Sequence, residues 1–260
     1  MPRFSANLSM LYPELPLMER FGAAAADGFA AVEYVGAYDE NWEAVKALLD
    51  RHELTQALFN MPAGNWATGE RGIACHPDRV AEFRTGVEAA IGFAKATGCG
   101  QINCLAGIAP SSYERAALEE VLIENLRYAA PRLADEGIRL LVEPINPQDM
   151  PGFLINSTDD YERVAAAVGH DNLYLQYDFY HMQVVQGDLL NTFKRLQDRI
   201  AHVQVADNPG RHEPGTGEIN YGVIFRALDA AGYDGWVGAE YRPEAGTSAG
   251  LGWFEEWRGR

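Results

Sequence analysis

Short apolar runs alternate along this chain with longer segments whose apolar residues recur every three or four positions. Eight runs carry a strand pattern, each of five or six residues: Phe4–Ser9, Ala31–Val35, Gln56–Asn60, Gln101–Leu105, Arg139–Glu143, Leu173–Asp178, His202–Ala206 and Trp236–Glu240. Runs of that length bounded by turn residues read as buried strands. Between them, Leu118, Val121, Leu122, Leu126, Ala129 and Leu133 share one helical face. Tyr161, Val164, Ala165 and Val168 form a second such stripe. Gly28, Gly98, Gly137, Gly169 and Gly232 each stand just past a helical pattern and shortly before a strand. A glycine there closes a helix in the left-handed conformation without a steric cost. Pro77 and Ser157 suit helix starts, and Asn220 suits the N-cap of a helix opening at Tyr221.

Strands alternating with helices predict a parallel sheet. A chain of 260 residues fits one α/β barrel, a fold of about 250 residues. The expectation is a single (β/α)8 TIM barrel over residues 1–260, since Pro and Gly are spread along the chain and no linker stands out. An open doubly wound sheet would carry a Gly-rich phosphate turn after its first strand. Here the first run continues Ser9-Met10-Leu11-Tyr12 instead.

Charge narrows the partners. With 21 basic and 37 acidic residues the net charge is −16. Nucleic acid prefers a basic face, so it is not expected, and an anionic substrate needs local positive charge from a metal or a few arginines. Cys75, Cys99 and Cys104 form no C-x-x-C pair, and their odd number argues against a disulfide framework. The first residues show no signal-peptide pattern, and no stretch approaches a membrane span of roughly 20 apolar residues. A cytoplasmic protein is expected, with self-association left open.

In such barrels the chemistry lies at the C-terminal ends of the strands. Four consecutive strand runs place Glu143, Asp178, Gln204 and Glu240 at similar depth. Three carboxylates together repel one another unless a cation sits among them, so the four are candidate metal ligands. Glu143 and Glu240 fall three strand positions apart in an eight-stranded ring, on opposite sides of the mouth. One could take a proton from carbon while the other returns it. Arg211, just past the seventh run, is a candidate for a substrate carboxylate. Glu70 and Arg71 lie with Trp66 in a long loop after the third run and are further substrate-binding candidates, as is His181, three residues after Asp178. Asp149, His202 and Glu33 suit scaffold roles at least as well as functional ones.

The segments EPINP at 143–147, QYDFYHMQ at 176–183, HVQVADNPGRHEPGTGEINY at 202–221 and GWVGAEY at 235–241 closely resemble the hydroxypyruvate isomerase family. FSANLSML at 4–11 and NMPAGNWATGERGIAC at 60–75 do so too, and the resemblance spans essentially the whole chain. It implies a xylose-isomerase-like barrel that interconverts hydroxypyruvate and tartronate semialdehyde in glyoxylate and carbohydrate metabolism. It implies metal ligation by Glu143, Asp178, Gln204 and Glu240, acid/base roles for the two glutamates, and a contact from His181 to substrate oxygen. Many ketose epimerases of the wider group have histidine where this chain has Gln204. An all-oxygen set favours magnesium or manganese over zinc. The alternatives are a 2-oxo-tetronate isomerase or ketose 3-epimerase on the same barrel, a histidine-rich multi-zinc nuclease, and a non-catalytic sugar-acid binding protein.

Overall fold

The computed structural model describes residues 2–258. Met1, Gly259 and Arg260, which the one-domain expectation includes, lie outside the described residues. The strands are β1 (Arg3–Asn7), β2 (Ala31–Tyr34), β3 (Thr55–Asn60), β4 (Gln101–Cys104), β5 (Arg139–Val142), β6 (Leu173–Asp178), β7 (Ile200–Val205) and β8 (Trp236–Ala239). They pair in sequence order into a closed barrel, and all eight neighbouring pairs, β1 with β8 included, are parallel. Each expected run matches one strand to within two residues. Glu143 and Glu240 fall one position beyond their strands, where the backbone leaves the ladder and a side chain can turn over the mouth.

The helices are α1 (Leu17–Ala26), α2 (Trp42–Arg51), α3 (Val80–Thr97), α4 (Arg115–Asp135), α5 (Thr158–Val168), α6 (Phe179–Val185), α7 (Leu189–Leu196), α8 (Tyr221–Ala230) and α9 (Gly252–Trp257). Their ends follow the capping chemistry of the sequence. Ser157 caps α5 in a reciprocal box with Asp160, and the Asn220 side chain accepts from the Val223 amide at the start of α8. Pro77 opens a short turn, Pro77–Arg79, that leads into α3. All five helix-closing glycines take positive φ, between 68° and 92°. The predicted stripe on α4 is buried at Leu118, Leu122, Leu126, Ala129 and Leu133. Among the described residues no helix is long and apolar enough to cross a membrane.

The large apolar core lies between the sheet and its helices. The lumen differs. Leu58, Leu141 and Ala201 make a small separate apolar cluster, and a polar network sits with it inside the ring. Gln101 of β4 reaches His202 of β7 at 3.2 Å, and His202 reaches Glu33 of β2 at 2.8 Å. None of these strands are neighbours, so the contacts cross the lumen. Glu33 also accepts from Ser5 at 2.6 Å, Asn7 at 3.2 Å and Gln204 at 2.8 Å. Burial alone would raise its carboxyl, but the pull of His202 and the bonds from His202, Ser5 and Gln204 win and hold it below the ordinary range. Gly238 makes room for this anion. A Cβ there would put the Glu33 Cδ at only 2.6 Å.

Candidate active site

Three carboxylates and one imidazole converge at the C-terminal mouth. Glu143 follows β5 directly, Glu240 follows β8, and Asp178 ends β6. Asp178 is also the N-cap of α6. Its Oδ1 accepts from the Tyr180 amide at 2.7 Å and the His181 amide at 3.4 Å, which fixes where His181 enters the mouth. One donor atom from each of Glu143, Asp178, His181 and Glu240 lies within 4.8 Å of the others.

Arg211 enters from the loop after β7 with φ of 57°. For a non-glycine side chain that conformation costs energy unless the surroundings fix it. Asp207 supplies the fixing: its carbonyl accepts from the Arg211 amide at 3.0 Å. Its carboxylate gathers the amides of Asn208, Gly215 and Ile219 at 2.7–3.0 Å. The guanidinium then reaches into the acidic group. Nη2 donates to Glu240 Oε2 at 2.6 Å and lies 3.8 Å from Asp178 Oδ2, and Nη1 lies 3.6 Å from Asp149. The ring of Tyr180 faces it at 5.2 Å.

Proton affinities follow from this crowding. Burial and the neighbouring charges of Glu240 and Asp178 push the Glu143 carboxyl well above the ordinary range. Burial pushes Asp178 up to about 6, against the opposing pull of Arg211. It pushes Glu240 up to about 8, again against Arg211. Burial and the Arg211 charge hold the His181 imidazole well below its usual value, hence neutral. Its tautomer is fixed by Asn146. The Asn146 carbonyl oxygen accepts from the amides of Gln148 and Asp149 at 3.0 and 2.8 Å. Its Nδ2 must therefore face His181 Nδ1, 2.6 Å away, so Nδ1 accepts and Nε2 carries the hydrogen. Nε2 lies 3.3 Å from Arg211 Nη2, 3.6 Å from Asp178 and 3.8 Å from Glu143. The guanidinium only donates, so it and the Asn146 amide make opposite demands on the ring, and the shorter Asn146 contact sets the tautomer. That makes His181 a hydrogen-bond donor at the mouth.

The residues fit a divalent cation. Asp178 Oδ2 is buried and has no hydrogen-bond partner, although a buried carboxylate oxygen costs free energy when left unpaired. Together with Glu143 and Glu240 it makes an oxygen-rich set suited to a hard ion. Above the group opens a cavity of about 690 Å³, lined by Glu143, Glu240, His181 and Arg211 at one end. Met10, Leu17, Tyr38 and Trp66 line it elsewhere.

Other expectations land differently. Gln204 is turned into the lumen. Its carbonyl oxygen accepts from Gln176 at 2.6 Å and its amide donates to Glu33. Gln204 also borders a small void shared with Glu143 and Glu240, so it stands directly beside the acidic group, which His181 joins with its imidazole. Glu70 is a strut of its loop, paired with Arg79 and the Asn65 amide. Arg71 stacks on Trp66 at 3.9 Å. Neither Glu70 nor Arg71 lines the cavity, whereas Trp66 does. His202 and Glu33 belong to the lumen network. Sequence reading missed Asn7, Asn103 and Asn146, which hold Glu240, Glu143 and His181. Asn7 ends β1 and Asn103 lies one residue from the end of β4, and a polar residue closing an apolar run was the available signal.

The profile of the xylose isomerase-like TIM barrel family matches residues 21–257. The chain belongs to that family. It is 50% identical over 258 residues to a hydroxypyruvate isomerase of Escherichia coli, covering 99% of this chain and 100% of the relative. It is 48% identical over 260 residues to a 2-oxo-tetronate isomerase of Cupriavidus necator, covering all of both. A solved structure from Brucella melitensis titled AP endonuclease, family 2, is 44% identical and superposes with a TM-score of 0.96, covering 99% of this chain and 100% of that one. Family membership accounts for the barrel. What happens at its mouth follows from the side chains found there.

Proposed function

We propose that this protein is a divalent-metal-assisted isomerase that interconverts hydroxypyruvate and tartronate semialdehyde (2-hydroxy-3-oxopropanoate). The observation that carries the reading is the pairing of Glu143 and Glu240, from strands three places apart, in one acidic group beside two donors, Arg211 and His181. The E. coli relative's name agrees with it. Glu143, Asp178 and Glu240, with Gln204 beside them as a further oxygen donor, would hold the cation, and magnesium or manganese suits such oxygens. Bound there, it supplies a Lewis acid for adjacent substrate oxygens.

The chain's own residues do the rest. Arg211 meets the substrate carboxylate against the protein's strongly negative field, and the His181 Nε2–H donates to a substrate oxygen. One glutamate takes a proton from C3, and the C2 carbonyl oxygen gains one as the enediol forms. The other glutamate, protonated at the start, delivers a proton to C2. The proton lost by the C3 hydroxyl replaces the one taken up by the C2 oxygen, leaving the aldehyde with no net gain or loss of protons. Trp66, about 42% exposed on its loop, borders the cavity where it can limit water around the enediol.

A 2-oxo-tetronate substrate is the second reading. The Cupriavidus relative bears that name, and a cavity of about 690 Å³ leaves room for a further hydroxymethyl group. A histidine-rich nuclease centre does not match a cluster holding a single histidine, and a non-catalytic binder has no use for an acid and a base facing each other. The deciding experiment assays metal-loaded protein against hydroxypyruvate, tartronate semialdehyde, 2-oxo-tetronate and several ketoses. The expected result is highest kcat/KM on hydroxypyruvate, abolished by chelation and restored by magnesium or manganese. Turnover in excess chelator, or none on either acid, would overturn the reading.

A further inference from the structure

Each of the two glutamates rests on an asparagine from the neighbouring strand. Asn7 Nδ2 on β1 donates to Glu240 Oε1 at 3.0 Å. Asn103 Nδ2 on β4 donates to Glu143 Oε2 at 3.2 Å. Both asparagines are buried, and neither is among the residues lining the cavity. Substrate therefore does not meet them.

Their amides are themselves held. Asn7 Oδ1 accepts from the Ser9 amide at 3.0 Å, and its Nδ2 also lies 3.2 Å from Glu33 Oε1. Asn103 Nδ2 also reaches Asn60 Oδ1 at 3.2 Å. The Ser9 amide on Asn7 Oδ1 leaves Nδ2 to face Glu240, and Asn103 turns Nδ2 to both Asn60 Oδ1 and Glu143. An ionised, cation-bound carboxylate requires that orientation because it only accepts. Tying one oxygen of each glutamate leaves the other to act. The second oxygens lie on the mouth side: Glu143 Oε1 is 3.8 Å from His181 Nε2, and Glu240 Oε2 accepts from Arg211 Nη2 at 2.6 Å, the donor expected to turn to the substrate carboxylate.

We propose that Asn7 and Asn103 are paired positioning residues. Asn7 fixes the carboxylate plane of Glu240, and Asn103 fixes that of Glu143, so that one oxygen from each faces the substrate carbons. The proposal rests on the reading of the two glutamates as the acid/base pair. Proton transfer to or from carbon tolerates only about 0.5 Å and 10–20° of misplacement. A neutral amide sets that geometry without the charge that would make the carboxylate a poorer base, as a lysine or arginine in its place would. On the Glu240 side the clamp is anchored further, because Asn7 shares Glu33, which four side chains of the lumen hold.

The test uses Asn7→Leu and Asn103→Leu, near in shape but without a donor, alone and combined with Glu240→Gln and Glu143→Gln. All are assayed on hydroxypyruvate at saturating metal, with melting temperature measured in parallel. Each Leu variant should lower kcat about 10-fold to 100-fold, the usual scale for residues that orient a ligand or catalytic group, with KM within about twofold. Asn7→Leu should cost nothing more once Glu240 is Gln, and Asn103→Leu nothing more once Glu143 is Gln. Asn7→Ser and Asn103→Ser, which keep a shorter donor, should recover part of the loss, and they carry the test if a Leu variant does not fold. A Leu variant that folds and keeps normal kcat overturns the proposal. So does a loss that multiplies through unchanged in the cognate Gln background. Full activity in both Gln variants would instead overturn the acid/base reading itself.

Discussion

The two glutamates occupy equivalent places on the ring, yet their surroundings differ. Glu240 has both oxygens bound, one to the Asn7 amide and one to the Arg211 guanidinium. Glu143 is more deeply buried and has only the neutral Asn103 amide, with the His181 Nε2–H at 3.8 Å. A charge-assisted bond favours the ionised form far more than a neutral one. Burial raises both carboxyls: Glu240 goes up to about 8 against the pull of Arg211, and Glu143 goes well above the ordinary range with the charges of Glu240 and Asp178 adding to burial. Chemically identical side chains thus meet different partners, and differing surroundings are how one site comes to hold both an acid and a base.

The largest effect expected from breaking this pair is on turnover. Glu143→Gln and Glu240→Gln retain size and an oxygen donor, and each should lower kcat by roughly 100-fold or more. Calorimetric titration with magnesium or manganese should still show binding, weakened less than in the Ala variants. Near-normal kcat in both with metal bound would mean that the carbon-bound proton moves by another route.

A smaller effect should come from removing the charge that separates the two. Arg211→Met deletes the partner of Glu240 and the expected seat of the substrate carboxylate. KM for hydroxypyruvate should rise about 10-fold or more, since a hydrogen bond to a charged group contributes roughly 1.5–3 kcal/mol. An uncharged hydroxy-ketone analogue should be affected less. Equal changes for the two substrates would remove Arg211 from that role.

The smallest effect is a pH dependence of stability in the metal-free protein. A carboxyl whose folded pKa is raised stabilises the fold below its unfolded pKa, and that contribution is lost as pH rises through the folded value. For Glu240 this spans 4.5 to about 8, and for Asp178 3.8 to about 6. His181, held neutral, works the other way as pH falls below its ordinary 6.5. The clean window is therefore about pH 6.5 to 8. There the melting temperature of chelated protein should fall by a few degrees as pH rises, and Glu240→Gln should reduce the slope, the raised Glu143 carboxyl supplying the rest. A melting temperature that climbs across that window would contradict the assigned proton affinities.

Much of this molecule was legible in the chain. Apolar runs with helical segments between them gave eight strands within two residues of their observed bounds, because local pattern and barrel agree. Helix ends were legible for the same reason: Ser157, Asn220 and the five glycines act on backbone groups within a few residues. Glu143, Asp178 and Glu240 were found from their place at strand ends, and their convergence follows once the ring closes.

The partners of Gln204, Glu70 and Arg71 mark where that kind of reasoning stops. A strand-end position fixes height on the barrel but not which polar neighbour a side chain takes, and Gln204 took Gln176 and Glu33 from other strands. A long loop after a strand suggests a lid, yet Glu70 is committed to Arg79 and Arg71 to Trp66. Asn7 and Asn103 stand at strand ends as polar residues, but nothing local says which carboxylate each one meets.

By itself, then, the sequence determined the barrel, the ends of its helices and which strands carry the carboxylates, since each depends on periodicity or capping over a few residues. Only the tertiary structure decided that Arg211 lies among those carboxylates, that Asn146 puts the His181 hydrogen on Nε2, and that Glu33 anchors the lumen from the far side of the ring. These depend on hydrogen bonds between residues 28 to 171 positions apart. Closure of the sheet creates such contacts, and no local pattern encodes them.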